Sequence, residues 1–116
     1  MNRILLIDDD EDMLMMTGRW LEKAGYDITK VSSGKEALEK IKQVNPDLVL
    51  LDYAMPEMDG PAVLSAIRSD DELKGLKVFF RTGMDDNDMD NGLEPDGIIP
   101  KSKGKPELLR VIKENL

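Results

Sequence analysis

Short apolar runs and longer stretches of helical spacing take turns along this 116-residue chain, and that alternation restricts its fold more than any other feature. Residues 4–7 (ILLI) are too short and too evenly apolar for an amphipathic helix and read as a buried strand. Residues 11–24 carry Leu14, Thr17, Gly18 and Leu21 at helical spacing and are closed by Gly25. A second strand covers 26–31; Ser33 then begins a helix through Ala37, Leu38 and Ile41, which Asn45-Pro46 ends. Residues 48–51 are the third strand, and Pro61 starts the third helix just after Gly60. Strands four and five fall at 77–81 and 97–100, and Pro106 opens a last helix with Leu108, Leu109 and Ile112 inward. Such alternation gives a parallel sheet with helices on both faces and right-handed crossovers. There is no repeat or linker, so residues 1–116 are expected to form one domain.

What the chain lacks narrows its chemistry. A formal net charge of −8 and a pI near 4.5 argue against nucleic acid or an anionic membrane as a partner, because phosphate recognition needs a clustered positive field. Without cysteine there is no disulfide or thiolate chemistry, and without histidine the commonest general base and any internal phosphohistidine donor are gone. No apolar run is long enough for a signal peptide or a membrane span, so the cytosol is the expected compartment. Oxygen chemistry remains.

In a parallel α/β sheet, function collects beyond the C-terminal ends of the strands, where strand order reverses. Here strand one runs into Asp8-Asp9, strand three into Asp52, strand four into Thr82 and strand five into Lys101. These ends form one polar cluster if the strand order is 2-1-3-4-5. Three carboxylates in a small space repel and raise one another's pKa, a conflict that a hard divalent cation removes. A few carboxylates with room for water suit Mg²⁺ better than a Ca²⁺ cage. A cation, a lysine and a hydroxyl around one carboxylate are apparatus for a phosphoryl group, which Asp52 could attack in line.

These residues, with the loop motif D-x-x-M-P-x-M-D-G at 52–60, FFRTG at 79–83 and IIPK at 98–101, resemble the receiver domains of two-component response regulators over essentially the whole chain. The resemblance implies a flavodoxin-like, doubly wound, five-stranded α/β sheet of order 2-1-3-4-5. It implies Asp52 as phosphoacceptor, Asp9 as a direct Mg²⁺ ligand, Asp8 as one acting mainly through water, and the Ala54 carbonyl as a further ligand. Thr82 and Lys101 would hold the acyl phosphate. The partners would be a sensor histidine kinase or phosphotransfer protein and a downstream protein whose identity the sequence does not give. Three positions depart from the family: Ser102 stands where proline usually follows the lysine, Ile98 where an aromatic is common, and Pro100 lies within strand five, tolerable if that strand is at an edge. With serine at 102 the Lys101–Ser102 bond is expected to be trans.

Plainer readings compete at several points. Asp10 to Asp12 are expected to cap the first helix, Met13, Met15, Met16 and Trp20 to serve packing, and Thr82 gains interest from a register opposite Asp52. Lys105-Pro106 imitates the family's Lys-Pro pair, and Asp86 to Asp90 begins like a calcium loop but lacks its glycine and its bidentate Glu. The rival function is an aspartyl phosphatase of the haloacid-dehalogenase type, disfavoured by Ala54 where a second acid is needed two residues after Asp52. Between Thr82 and Lys101, four acids at 85–90 with Gly92 and Pro95 predict a short or irregular fourth helix that opens easily. A monomer or weak dimer is then expected.

Overall fold

The computed structural model describes residues 2–83 and 95–116, and every strand pairing in it is parallel. β1 (Arg3–Ile7), β2 (Asp27–Val31), β3 (Leu48–Asp52), β4 (Lys77–Thr82) and β5 (Gly97–Pro100) alternate with α1 (Glu11–Lys23), α2 (Gly34–Val44), α3 (Gly60–Ser69) and α4 (Gly104–Asn115). A 3-10 turn at Lys101–Lys103 links β5 to α4. The order β2-β1-β3-β4-β5 is the expected one, with the reversal between β1 and β3. β3 lies in the middle, and all five of its residues are buried.

Because side chains alternate along a strand, each strand feeds two cores. Leu5, Ile7, Val49, Leu51, Val78 and Phe80 pack under Ala37 and Ile41 of α2 and Val63 and Ile67 of α3. Ile4, Leu6, Leu48, Leu50, Phe79 and Ile99 pack under Leu14 and Leu21 of α1 and Leu108 and Ile112 of α4. Each fully buried aliphatic side chain contributes about 1.5–3 kcal/mol, so neither helical layer can be lost without the sheet.

Local chemistry sets the element ends. Asp10 caps α1, accepting from the N–H groups of Asp12 and Met13, and Ser33 caps α2 by accepting from Glu36. α4 begins at Gly104, two residues before the expected Pro106, whose missing N–H is harmless anywhere in a first turn because those donors have no helical partner. β2 starts at Asp27, not Tyr26, where the Asp27 N–H donates to the Asn2 carbonyl at 2.9 Å. Asp96 receives the Val78 N–H at 2.7 Å and Arg68 Nη2 at 2.9 Å, locking the entry to β5. β5 is an edge strand, as Pro100 requires, and Ile98 packs partly buried on the α2–α3 side. The Lys101–Ser102 bond is trans. Met15 and Met16 are exposed at 55% and 39%, so they do not serve packing as expected; they lie off the apolar stripe of α1, and of the three only Met13 is half-buried. The expected fourth crossover helix and the calcium-like stretch at 86–90 lie outside the described residues.

The loop after β3 is clamped by contacts that only glycine permits. A Cβ on Gly60 would lie 2.5 Å from the Asp52 carbonyl oxygen and 2.8 Å from the Tyr53 Cα, and one on Gly34 would collide with the Met58 carbonyl. The Gly60 N–H donates to the Tyr53 carbonyl at 2.9 Å, folding the loop back on the end of β3. Within it Glu57 takes a left-handed φ of 63°, and the Met58 N–H reaches the Pro56 carbonyl at 2.7 Å. Overpacking of this kind costs about 1–3 kcal/mol, so Gly60→Ala should lower the urea midpoint with an unchanged slope. Gly75→Ala, where nothing lies within 4 Å, should leave it nearly unaltered.

Candidate functional site

β1 and β3 are neighbours, paired Ile7 to Leu51, so the residues that end them are side by side. Asp8 and Asp52 are accordingly close and both buried, at 6% and 7% exposure. Asp8 Oδ1 accepts the Asp10 N–H at 2.9 Å, which fixes its rotamer while the chain turns into α1. Asp9 is exposed beside them; one carboxylate oxygen from each of Asp8, Asp9 and Asp52 lies within 4.8 Å of the others.

The counter-charge comes from across the sheet. Strands are spaced about 4.8 Å apart, so a group on the far side of β4 needs a long side chain to reach β3. Lys101, directly after β5, has it: Nζ lies 3.3 Å from Asp8 Oδ2 and 3.3 Å from Asp52 Oδ1. Lys105 sits exposed on α4 and takes no part. Burial, and then the neighbouring Asp8 charge, push the Asp52 carboxyl up to about 7 despite the opposing pull of Lys101. An all-oxygen set of three clustered carboxylates with a single partially buried lysine fits a hard divalent cation.

Two further predicted residues follow β3 and end β4. Ala54 is exposed in the loop after β3, beside Tyr53, Met55, Pro56 and Asp59. Thr82 ends β4, 2% exposed, but its register partner is Pro100; the residue paired with Asp52 is Arg81. The expected register was therefore wrong by one residue: the pairing starts with Leu48 opposite Lys77 and keeps that offset to Asp52 opposite Arg81, with Thr82 one residue beyond.

Arg81 is the residue that sequence reasoning missed. It is 5% exposed, donates from Nη1 to Thr17 Oγ1 at 3.4 Å, and lies with Cζ 5.9 Å from the centre of the Trp20 ring. Trp20 packs against the core under α1 and α4 as expected and, in addition, faces this guanidinium. Burial pulls the guanidinium below its usual pKa, while Asp8 and Asp52 act in the opposite direction. The available signal was a charge inside the apolar run VFFRT.

The family model for the response regulator receiver domain matches residues 4–113. The chain belongs to that family. This receiver domain is 42% identical over 83 residues to the response regulator receiver protein CpdR of Brucella abortus, covering 72% of this chain and 68% of that protein. It is 34% identical over 85 residues to the transcriptional regulatory protein PrrA of Mycobacterium leprae, covering 72% of this chain but only 36% of PrrA. Among solved structures, the response regulator TrrA of Thermotoga maritima, in complex with Mg²⁺ and BeF, matches with a TM-score of 0.89 and 32% identity over 100% of both chains. The receiver domain is a phosphoryl-accepting signalling switch of two-component systems. The dehalogenase-type alternative gains no support from any of these likenesses. No helix among the described residues is long and apolar enough to cross a membrane.

The raised Asp52 pKa fixes a sign. The folded metal-free state holds this proton up to about pH 7, whereas the unfolded chain releases it near 3.8. The stability that this proton contributes is therefore full below the lower value and is lost as pH rises through the upper one. In chelator, Asp52→Asn should be more stable than the parent at pH 8 and no more stable at pH 3.5, as read by urea denaturation.

Proposed function

We propose that Asp52 accepts the phosphoryl group, with Asp8, Asp9, Asp52 and the Ala54 carbonyl holding Mg²⁺ and with Thr82 and Lys101 binding phosphoryl oxygens. The observation that carries this reading is the Lys101 ammonium 3.3 Å from both buried carboxylates. Positive charge is concentrated at these two carboxylates, and phosphoryl transfer depends chiefly on positioning and charge neutralisation; Asp52 is favoured over Asp8 because Asp8 Oδ1 is already engaged by the Asp10 N–H. The Mg²⁺–BeF complex of TrrA adds support.

The donor would be a phosphohistidine on a sensor kinase or phosphotransfer protein. An Asp52 carboxylate oxygen attacks phosphorus in line; the new O–P bond forms as the P–N bond breaks, and the imidazole nitrogen leaves with its electron pair and takes a proton from solvent. Mg²⁺, when bound, supplies charge neutralisation between the phosphoryl oxygens and the carboxylates. Lys101 keeps Asp52 oriented and meets the incoming oxygens. The replacement of the carboxylate by a phosphoryl group carrying about −1.5 to −2 biases two conformations that a downstream protein distinguishes. The chain acts on itself alone, in the cytoplasm, as a monomer or weak dimer, and its output does not run through an aromatic at position 98.

Incubation with Mg²⁺ and a small acyl-phosphate donor should add one phosphate by intact mass. Asp52→Asn should abolish the addition, and chelation or Asp9→Ala should suppress it; undiminished labelling of Asp52→Asn would refute the assignment.

Loss of the phosphate needs a water in line with phosphorus. By analogy with the family, the side chains nearest that path are Ala54, which is exposed, and Met84, which lies outside the described residues. Neither can exchange a proton. The acyl phosphate should be long-lived, and Ala54→Asn combined with Met84→Glu should shorten its half-life severalfold in a phosphate-release assay.

A further inference from the structure

Arg81 has no part in the chemistry above, yet its position is costly. It is buried on a strand whose preceding residues, Val78, Phe79 and Phe80, are apolar. A guanidinium removed from water is tolerated only against opposite charge or with its donors satisfied. Its donors are not all satisfied: Nη1 has Thr17, but the buried Nε has no acceptor among the described residues. The opposite charge is the acid cluster. Arg81 is the register partner of Asp52 on the adjoining strand, and partners in a parallel pair project to the same face. Asp8, Asp52 and Arg81 line one small cavity of about 10 Å³ beneath the site, room for roughly one water, walled by Leu6, Leu50 and Thr17.

We propose that Arg81 is a positioning residue of the phosphoacceptor site, a fixed cation behind the carboxylates that weakens the resting site's hold on a divalent cation and strengthens the mutual dependence of cation and phosphoryl group. This rests on Asp52 being the acceptor.

The argument is one of charge. With all three acids ionised, as ligation of a cation requires, Asp8, Asp9 and Asp52 against Lys101 alone make a doubly negative site, which a divalent cation neutralises. Counting Arg81, the site is singly negative and a divalent cation leaves it positive. Phosphorylation exchanges the single charge of Asp52 for about −1.5 to −2, which brings the loaded site back toward neutrality. Each ligand then favours the other, and the coupling is reciprocal. Thr17 and Trp20, three residues apart on α1, fall on one helical face and hold the guanidinium in place. Arginine stays charged at any working pH, so the compensation is permanent. An apolar side chain of similar volume would fill the space without the burial cost, so packing does not explain the choice.

Calorimetric titration of the full unphosphorylated chain with Mg²⁺ tests this. Arg81→Leu should bind Mg²⁺ about tenfold more tightly, since a like charge near the cation is removed. At saturating Mg²⁺ the same variant should bind beryllofluoride, a phosphoryl mimic, more weakly. Arg81→Lys should return both toward the parent values. Trp20, the only tryptophan in the chain, gives an independent fluorescence reading in the parent protein. Arg81→Gln keeps a polar side chain without charge and should repeat the Leu result if the Leu variant does not fold. Mg²⁺ affinity within about twofold of the parent for both uncharged variants, with binding still lost in Asp9→Ala, would make Arg81 a packing residue and overturn the proposal. Failure of the acceptor assignment looks different: Asp52→Asn would still take up phosphate and Asp9→Ala would still bind Mg²⁺, and the role of Arg81 would fall with it.

Discussion

Two buried carboxylates at the ends of adjacent strands cannot be left without positive charge, and the rest of the domain is arranged around that demand. β1 and β3 are buried along their whole length except for Arg3, so Asp8 and Asp52 emerge from a dry part of the sheet. The low polarity that raises the Asp52 pKa also strengthens every charge brought near it. Lys101 answers from two strands away, and its reach works because Asp96, bonded to Val78 and Arg68, sets the start of β5. A shift in that strand would separate the ammonium from both acids.

The helical layers divide the labour unequally. α2 and α3, with the glycine contacts at Gly34 and Gly60, hold the loop after β3 against the end of the strand. α1 reaches the site from the other face, where Thr17 and Trp20 meet Arg81. Asp52 is therefore supported by rigid elements on both sides of the sheet, and a carboxylate held in this way loses little entropy when it is engaged.

Much of this was legible from residue types. The strand–helix alternation led to the parallel sheet because buried strands cannot be written any other way, and acids at the ends of two apolar runs pointed to the site. The glycine of the D-x-x-M-P-x-M-D-G motif was visible as a pattern, but its reason, a carbonyl 2.5 Å from where a Cβ would be, is a three-dimensional fact. Register was less legible: the pairing of β3 with β4 begins at Leu48 and Lys77, and that offset puts Arg81 rather than Thr82 beside Asp52. Thr17 looked like one more position on an apolar stripe, since a hydroxyl that serves a buried guanidinium and one that fills space read alike in sequence. Met15 and Met16 misled because methionine suits both a core and a surface.

Pro100 closes the open side of the sheet in a way that reaches beyond the site. Among the described residues β5 is bordered only by β4, and an edge strand offers its unpaired backbone groups to any extended chain that approaches. A pyrrolidine ring in the last position of a four-residue strand removes a donor and leaves too short a ladder for a foreign strand to grip. The same ring holds φ at −62° immediately before Lys101, so the backbone that launches the lysine is stiff where it leaves the sheet. One imino acid thus acts as a guard against intermolecular sheet extension and as a rigid mount for the cation that the acids require.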